Sequence, residues 1–444
     1  MKRKIMSALL SWKKGERYSK TTRLPLLIYG SRQVGKTHTM LEFGEAHYKN
    51  LVYINFERMQ RIAAYFDSDI SPKAIVPVLE GVTGKEIIPE ETLIIFDEIQ
   101  SCERALTSLK YFAEEAPEYH VIAAGSLLGV ALNRGTYSFP VGKVQILTMH
   151  PMDMEEFLWA LGEEQLSRDI SACYMENKAM PAILHEELLN RYTHYLITGG
   201  MPAVVNDYVV NNSISCSTQL QEDILNSYVA DMTKYTTSGE NMRIRGSYDS
   251  MPAQLSKENK KFQYKLIRKG ATANLFGESI EWLIAAGIVL KCNKVNNGIS
   301  PLEAQKDLSA FKLYMSDVGL YRAKARLLPE EILTGKYDAA FKGAMAENYV
   351  AQSLVAGNHF IYYWESNSQA EVDFVIQDNE GNVIPLEVKY DGNVRSRSLS
   401  VFMKRYQSPY AIRVSAKNFG FENRIKSVPL YAVQCIKPIQ VDIE

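Results

Sequence analysis

The sequence predicts an α/β chain in four parts. A three-layer parallel-sheet core is followed by a helical segment, a middle domain of helices and two strands, and a C-terminal α/β domain. Three observations predict this. Short apolar runs alternate with amphipathic segments over the first 150 residues. A glycine-rich stretch, "GSRQVGKT", joins one such run to a helical pattern. Near the C-terminus two strand-like runs, "EVDFVI" and "IPLEVK", flank the turn-rich "QDNEGNV".

A chain of 444 residues holds two to four domains at roughly 100–200 residues each. Its net charge of −1 gives no global argument for nucleic acid or membrane, so local clusters carry any such case. Two stretches are basic, "KRKIMSALLSWKKGERYSKTTR" and "KENKKFQYKLIRK". Taken alone, each reads as a solvated face as readily as a phosphate-binding one. Cys102, Cys173, Cys216, Cys292 and Cys435 are scattered and odd in number, with neither disulfide nor metal-ligand spacing. No apolar run reaches the ~18 residues of a membrane span. "IMSALLSW" reads as a short amphipathic helix without a cleavage site. The expectation is a cytoplasmic protein in a reducing compartment, with no membrane partner.

Residues 1–150 carry four near-continuous apolar runs, "LPLLIYG", "LVYINFE", "TLIIFDEI" and "YHVIAAGS". Such runs suit parallel strands buried on both faces, and "KTHTMLEFGEAHYKN" and "RALTSLKYFAEEA" supply helices between them. Gly30 to Thr37 fits G-x-x-x-x-G-K-[ST] after a strand and before a helix, which defines a P-loop NTPase core. Gly30, Ser31, Arg32, Gln33, Val34 and Gly35 would present backbone N–H groups to the phosphates of ATP. Lys36 would reach the β- and γ-phosphates, and Thr37 would offer its hydroxyl to Mg²⁺. Asp97 and Glu98 end the next apolar strand but one. Asp97 suits the magnesium shell, and Glu98 suits polarisation of the attacking water. Ser126, at the tip of "VIAAGS", is a candidate γ-phosphate sensor. Asn55 is a candidate to hold Glu98 in an inactive pose. Arg134 and Lys143 are candidate transition-state cations, and supply of that group in trans by a homo-oligomer stays open.

Residues 151–237 lose the strand signal. "PMDMEEFLWALGEE", "HEELLNRYTHYLITGG" and "LQEDILNSYVADMTKY" have helical spacing and suggest a helical lid broken at "GGMP". Over 238–327, short helices precede "SIEWLIAAGIVLKCNKV" and "SAFKLYMSDVGLYR". That order of helices and then strands outlines a winged-helix-like domain, against the alternative of a helical spacer.

Residues 328–444 begin with the helical "KGAMAENYVAQSLVAGN". A hairpin centred on Glu380 pairs Val372 with Val388, Phe374 with Leu386 and Ile376 with Ile384 on one face. Asp373 then opposes Glu387, with Lys389 beside them. Like charges across a hairpin need a cation, and oxygen ligands suit Mg²⁺ or Mn²⁺. Glu347 on the preceding helix is the third acid of this candidate metal site. Glu371 assists, and Lys389 is a candidate catalytic group for an attacking water. The alternative is a solvated polar sheet face.

The motifs "GSRQVGKT", "LIIFDEIQ", "AAGSLLGV", "SFPVGKV", "PMDMEEFL" and "GGMPAVV", closed by "EVDFVI…IPLEVK", resemble a prokaryotic AAA-type ATPase family along nearly the whole chain. Its members join an AAA_14 core to a C-terminal DUF4143 region whose end is similar to PD-(D/E)XK nucleases. The resemblance implies ATP binding on Gly35, Lys36, Thr37 and Asp97. It implies a nuclease-like domain with Glu347, Asp373, Glu387 and Lys389 in its site. Ser126 stands where such proteins often carry Asn, and no arginine finger matches. The expectation is a Mg²⁺-dependent ATPase coupled to DNA binding, with metal-dependent DNA cleavage by the C-terminal domain. The alternative is an ATP-dependent switch or docking protein with an inactive nuclease-like fold. A small-molecule kinase is disfavoured by the Asp97–Glu98 pair and by the long C-terminal half.

Overall fold

The computed structural model describes residues 1–15, 23–126, 129–130, 139–234, 236–257, 260–366, 370–390 and 397–437. The chain forms two compact units. The first comprises Lys2–His150 with Ala285–Gly287, and the second comprises Pro151–Ile284 and Ile288–Glu444.

The first unit is built on five parallel strands in the order β2-β3-β4-β1-β5. They are β1 (Leu26–Tyr29), β2 (Asn50–Asn55), β3 (Thr92–Asp97), β4 (His120–Ala124) and β5 (Gln145–Thr148). Alternate residues bury opposite faces. Leu27, Ile94, Phe96 and Val121 join one core with Ile62, Ile75, Leu79 and Leu109 from three helices. Leu26, Ile28, Leu93, Ile95 and Ile122 are equally buried on the other face. There the helix Lys36–His47 comes so close that a Cβ on Gly44 would lie 2.7 Å from Leu51 Cδ1 and 3.3 Å from Leu93 Cδ2. Strand order reverses beside β1, so the loop after β1 opens at a topological switch point, where parallel sheets bind ligands. The expected short N-terminal helix spans Ile5–Lys14.

The second unit holds an eight-stranded mixed sheet in the order β12-β13-β11-β10-β9-β8-β6-β7. Its strands are β6 (Val289–Val295), β7 (Lys306–Met315), β8 (Tyr362–Glu365), β9 (Glu371–Gln377), β10 (Val383–Val388), β11 (Ala411–Ser415), β12 (Gly420–Glu422) and β13 (Ile425–Pro429). The helix Arg397–Tyr406 sends Leu399 and Phe402 into a core with Val295, Trp364 and Val375.

Two expected boundaries differ. The β6–β7 hairpin follows helices Ser238–Asp249, Met251–Leu255 and Ala273–Ala285, the order expected of a winged helix. It does not stand alone, because β6 also pairs in parallel with β8, from Asn293↔Tyr362 to Val295↔Trp364. The sheet therefore crosses the expected boundary at 327/328. The helices expected as a lid, Met154–Ala160 through Ser217–Lys234, likewise pack within the second unit. Tyr192 and Tyr195 meet Tyr349 edge-on, with ring centroids 4.9 and 5.6 Å apart. His185 Nδ1 lies 2.8 Å from the Tyr431 hydroxyl, and Asn418 bonds both backbone groups of Met180 at 2.8 Å. These helices have apolar faces too wide to leave uncovered, and the helix Ala339–Ala356 covers them.

Candidate functional site

The loop between β1 and the helix Lys36–His47 has the conformation its glycines permit. Gly30 has φ 149°, and a Cβ there would stand 2.3 Å from the Met149 carbonyl oxygen. Gly35, at φ 95°, caps the helix, whose N-terminus provides dipole and free N–H groups for phosphate. Gln33 takes a left-handed φ of 67° without being glycine. Such a conformation costs roughly 1–3 kcal/mol and collects at ligand-binding loops. Arg3 braces the loop from the N-terminus, donating to the Val34 carbonyl at 2.9 Å and the His150 carbonyl at 2.7 Å. The Lys36 ammonium donates to the Gly30 and Ser31 carbonyls at 2.8 and 2.9 Å.

Asp97 closes β3 and is buried. Its Oδ2 accepts from Thr37 Oγ1 and from the Tyr53 hydroxyl, each at 2.8 Å, and its Oδ1 accepts from the Glu98 backbone N–H at 3.0 Å. Burial pushes Tyr53 up to about 12, so at neutral pH it remains a donor to Asp97. Glu98 has φ 50°, a second left-handed non-glycine residue at this site. Its Oε2 accepts from Gln100 Nε2 at 2.5 Å and, at the long distance of 3.4 Å, from Ser126 Oγ. Asn55 does not hold Glu98. It donates to the Tyr53 hydroxyl at 3.3 Å and accepts from the Arg58 N–H at 3.0 Å. Gln100 makes the contact with Glu98 that was expected of Asn55, because the turn Ile99–Ser101 brings its side chain back to Glu98. Lys143 pairs with Glu114 at 3.0 Å. Arg134 lies outside the described residues.

The C-terminal hairpin has the expected register through Phe374↔Leu386, Ile376↔Ile384 and Gln377↔Val383. Its turn is set by Asp378, which accepts from the Glu380 and Asn382 N–H groups at 3.0 and 2.8 Å. The pairing ends at Phe374, and Asp373 Oδ2 accepts from the Val388 N–H at 2.8 Å. Among the described residues no three carboxylates, histidines or cysteines converge as a metal-binding group. The expected set of Glu347, Asp373 and Glu387 is thus not assembled around a shared point.

Lysines take the place assigned to a metal. Lys312, fully buried on β7, binds Glu371 at 2.6 Å. Lys389 binds Glu387 at 2.9 Å. Lys260 pairs with Glu347, which also accepts from the Tyr314 hydroxyl at 3.3 Å. Burial alone would lower Lys312, but Glu347, Glu371 and Asp373 outweigh it and raise its pKa. Burial would raise Glu347, and Lys260 and Lys312 hold it below the usual carboxylate range instead. Asp373 is pushed up to about 7, first by burial and then by the Glu347 charge. Lys389, with Glu387 as its partner, is held above its ordinary value against the desolvation that would lower it. Lys312 escaped the sequence reading, and Lys260 entered it only as part of a basic run. A lysine inside the apolar "SAFKLYM" was the available signal for Lys312, since buried charges are paired.

The fold and the first site together define a P-loop nucleotide-binding domain of the AAA class. Residues 22–158 match the AAA_14 family, described as an AAA domain, and residues 342–433 match DUF4143, a domain of unknown function. The chain thus carries an AAA_14 domain followed by a DUF4143 region. Residues 189–331 match a further domain of unknown function, DUF8612. No curated protein sequence matches the chain. Solved structures resemble parts of the chain at low identity. A Walker-type ATPase of Pyrococcus abyssi is 14% identical, covering 71% of this chain and 94% of its own, with a TM-score of 0.42. The ORC2 protein of Aeropyrum pernix, in ADPNP–ADP complexes, is 14% identical over 74% and 93%, with a TM-score of 0.32. The ORC1 protein of the same organism, in complex with DNA, is 12% identical over 74% and 93%, with a TM-score of 0.29.

Proposed function

We propose that the chain is a Mg²⁺-dependent ATP hydrolase whose nucleotide cycle controls binding of DNA by the second unit. The observation that carries the hydrolase reading is the contact of Thr37 Oγ1 with Asp97 Oδ2 at 2.8 Å, with Glu98 as the next residue. These two oxygens suit a hard, octahedral cation and would hold Mg²⁺, which neutralises phosphate charge. Lys36 turns from the Gly30 and Ser31 carbonyls to the β- and γ-phosphates. Tyr53 fixes the Asp97 carboxylate through Oδ2, while the Glu98 N–H holds Oδ1. Glu98, once released from Gln100, accepts a proton from the attacking water as its oxygen bonds to the γ-phosphorus and the bond from that phosphorus to the β,γ-bridging oxygen breaks, releasing ADP and inorganic phosphate. Ser126 follows that change through its contact with Glu98.

The DNA reading rests on the segment 257–269. There Lys257, Lys265, Arg268 and Lys269 are exposed. Lys260 is excluded from phosphate contact by its pairing with Glu347. DNA cleavage is not part of the proposal. With every acid of the second site either lysine-paired or held by a backbone N–H, a switch that binds without cutting is the favoured reading.

Lys36→Ala tests the core of this. Removing the ammonium deprives the phosphates of a charge-assisted partner worth ~1.5–3 kcal/mol. Mg-ATP affinity, measured by calorimetry, should fall by about 100-fold. Affinity at the wild-type level would refute the assignment of the loop.

A further inference from the structure

The phosphate loop is held by a residue outside the stretch that matches its family. That match begins at residue 22. Arg3 lies before it, just ahead of the helix Ile5–Lys14, and is buried. Its guanidinium forks between two carbonyls, Val34 at 2.9 Å and His150 at 2.7 Å. The helix behind Arg3 is fastened at its far end. Leu9 and Trp12 are buried, the Trp12 indole donates to the Leu24 carbonyl at 2.9 Å, and Arg23 donates to the Lys13 carbonyl at 2.8 Å. Arg3 therefore reaches the loop from a fixed origin.

The Val34 carbonyl belongs to the Val34–Gly35 peptide. A trans peptide is planar, and its C=O and N–H point in opposite directions. With the carbonyl held on Arg3, the Gly35 N–H faces away from Arg3. Gly35 itself does not select this orientation. It stands at φ 95°, and glycine takes either sign of φ about as readily, so a flip of this peptide is open to it. A flipped peptide would present a carbonyl dipole where the N–H had been, and that dipole repels phosphate. Gln33, at φ 67°, holds a left-handed conformation that persists only where its surroundings enforce it. The Arg3 bond to the next residue supplies such a constraint. The bond to His150 ties that anchor to the segment after β5, against which the loop already begins, since no Cβ fits on Gly30 beside the Met149 carbonyl.

We propose that Arg3 is a positioning residue of the nucleotide site. It keeps the Val34–Gly35 peptide turned with its N–H toward the phosphates, so the site is complete only with the N-terminal segment in place. Arg3 acts through the backbone, because its donors are used on carbonyls and not on the ligand. The inference rests on the reading of this loop as an ATP site.

The test is a calorimetric titration of Mg-ATP into the full chain, which reads affinity and the number of sites separately. Arg3→Met keeps most of the side-chain volume and removes the donors. Affinity should fall at least about tenfold, the loss of one bond to a charged group, with one site per chain retained. Arg3→Lys, which can keep one carbonyl, should recover part of the loss. A residue that only stabilises the fold gives the opposite pattern, fewer sites at wild-type affinity, and that result overturns the proposal. Wild-type affinity at full site number overturns it as well. Lys36→Ala separates this inference from the reading beneath it. If Lys36→Ala binds as wild type does, the loop assignment fails. If Lys36→Ala loses affinity and Arg3→Met does not, the role of Arg3 alone fails. Should Arg3→Met not fold, deletion of Lys2 and Arg3 is judged by the same criterion. Failure of that chain to fold also overturns the proposal, since Arg3 would then serve the core and not the loop.

Discussion

Lys36 and Lys312 are both buried lysines at the edge of a carboxylate site, yet their partners differ in kind. Lys36 donates to neutral backbone carbonyls of its own loop. Lys312 is bound to Glu371 and lies in the field of two further acids. An ammonium on neutral acceptors exchanges readily for an incoming phosphate, because charge-assisted bonds are roughly twice as strong as those it gives up. An ammonium among carboxylates has no better partner to move to. The first site is poised for a ligand, and the second is internally closed. The same residue type thus marks function in one unit and compensation in the other, and the acceptor atoms decide which.

If the first site is poised for hydrolysis, the largest effect belongs to its general base. Glu98→Gln should keep Mg-ATP affinity and lower kcat by about 10²–10⁴-fold. Gln100→Ala should move kcat upward with KM unchanged, since the 2.5 Å bond turns the Glu98 carboxylate toward Gln100 rather than toward water. Steady-state kinetics read both. Turnover at the wild-type rate in Glu98→Gln would remove the contrast between the two sites.

If the second site is closed by compensation, its largest effect is on stability. Lys312→Met keeps the volume and removes the charge, leaving Glu347 and Asp373 with less cation around them. The second unit should lose about 3 kcal/mol, as expected for breaking a buried pair. Urea unfolding followed by tryptophan fluorescence reports it, because Trp159, Trp282 and Trp364 all lie in that unit. Mg-ATP binding should not change. A loss below about 0.5 kcal/mol, the range of an ordinary surface substitution, would make Lys312 dispensable and the cluster an ordinary polar face.

The sequence revealed whatever is carried by short-range periodicity. The nucleotide loop and the Asp97–Glu98 pair are contiguous motifs on strand ends, and the strands themselves are continuous apolar runs. The hairpin register was readable because a one-residue slip would turn Phe374, Ile376, Ile384 and Leu386 to the other face. Pairings between distant segments left no periodic trace. The union of β6 with β8 depends on an edge that only the folded chain brings together. Lys260 sat in a basic run and read as a DNA contact, whereas its partner lies 87 residues away. Gln100 was hidden for a different reason. A left-handed turn at Glu98 directs it, and φ is not written in residue type except at glycine.

The smallest effect is the most discriminating between a metal site and a compensated one. Asp373 has the Val388 N–H at 2.8 Å, which an asparagine oxygen can keep, so Asp373→Asn removes charge without removing the acceptor. Burial and Glu347 place the folded-state pKa near about 7. The unfolded value is about 4. Between those limits the folded chain holds a proton that the unfolded chain has shed, so this group's contribution to stability is complete at low pH and falls as pH rises. Above about 7 the folded chain carries an ionised Asp373 beside Glu347 and bears the full repulsion. Asp373→Asn should therefore match wild type near pH 4 and exceed it near pH 8, by at least about 1 kcal/mol, the worth of a single unit of pKa shift. Thermal melts across that window, in chelator to exclude divalent ions, give the comparison. A variant less stable than wild type at pH 8 would mean that the ionised carboxylate is already well served by Lys312 and Lys260. Those cations would then outweigh the burial and the Glu347 charge that raise its pKa.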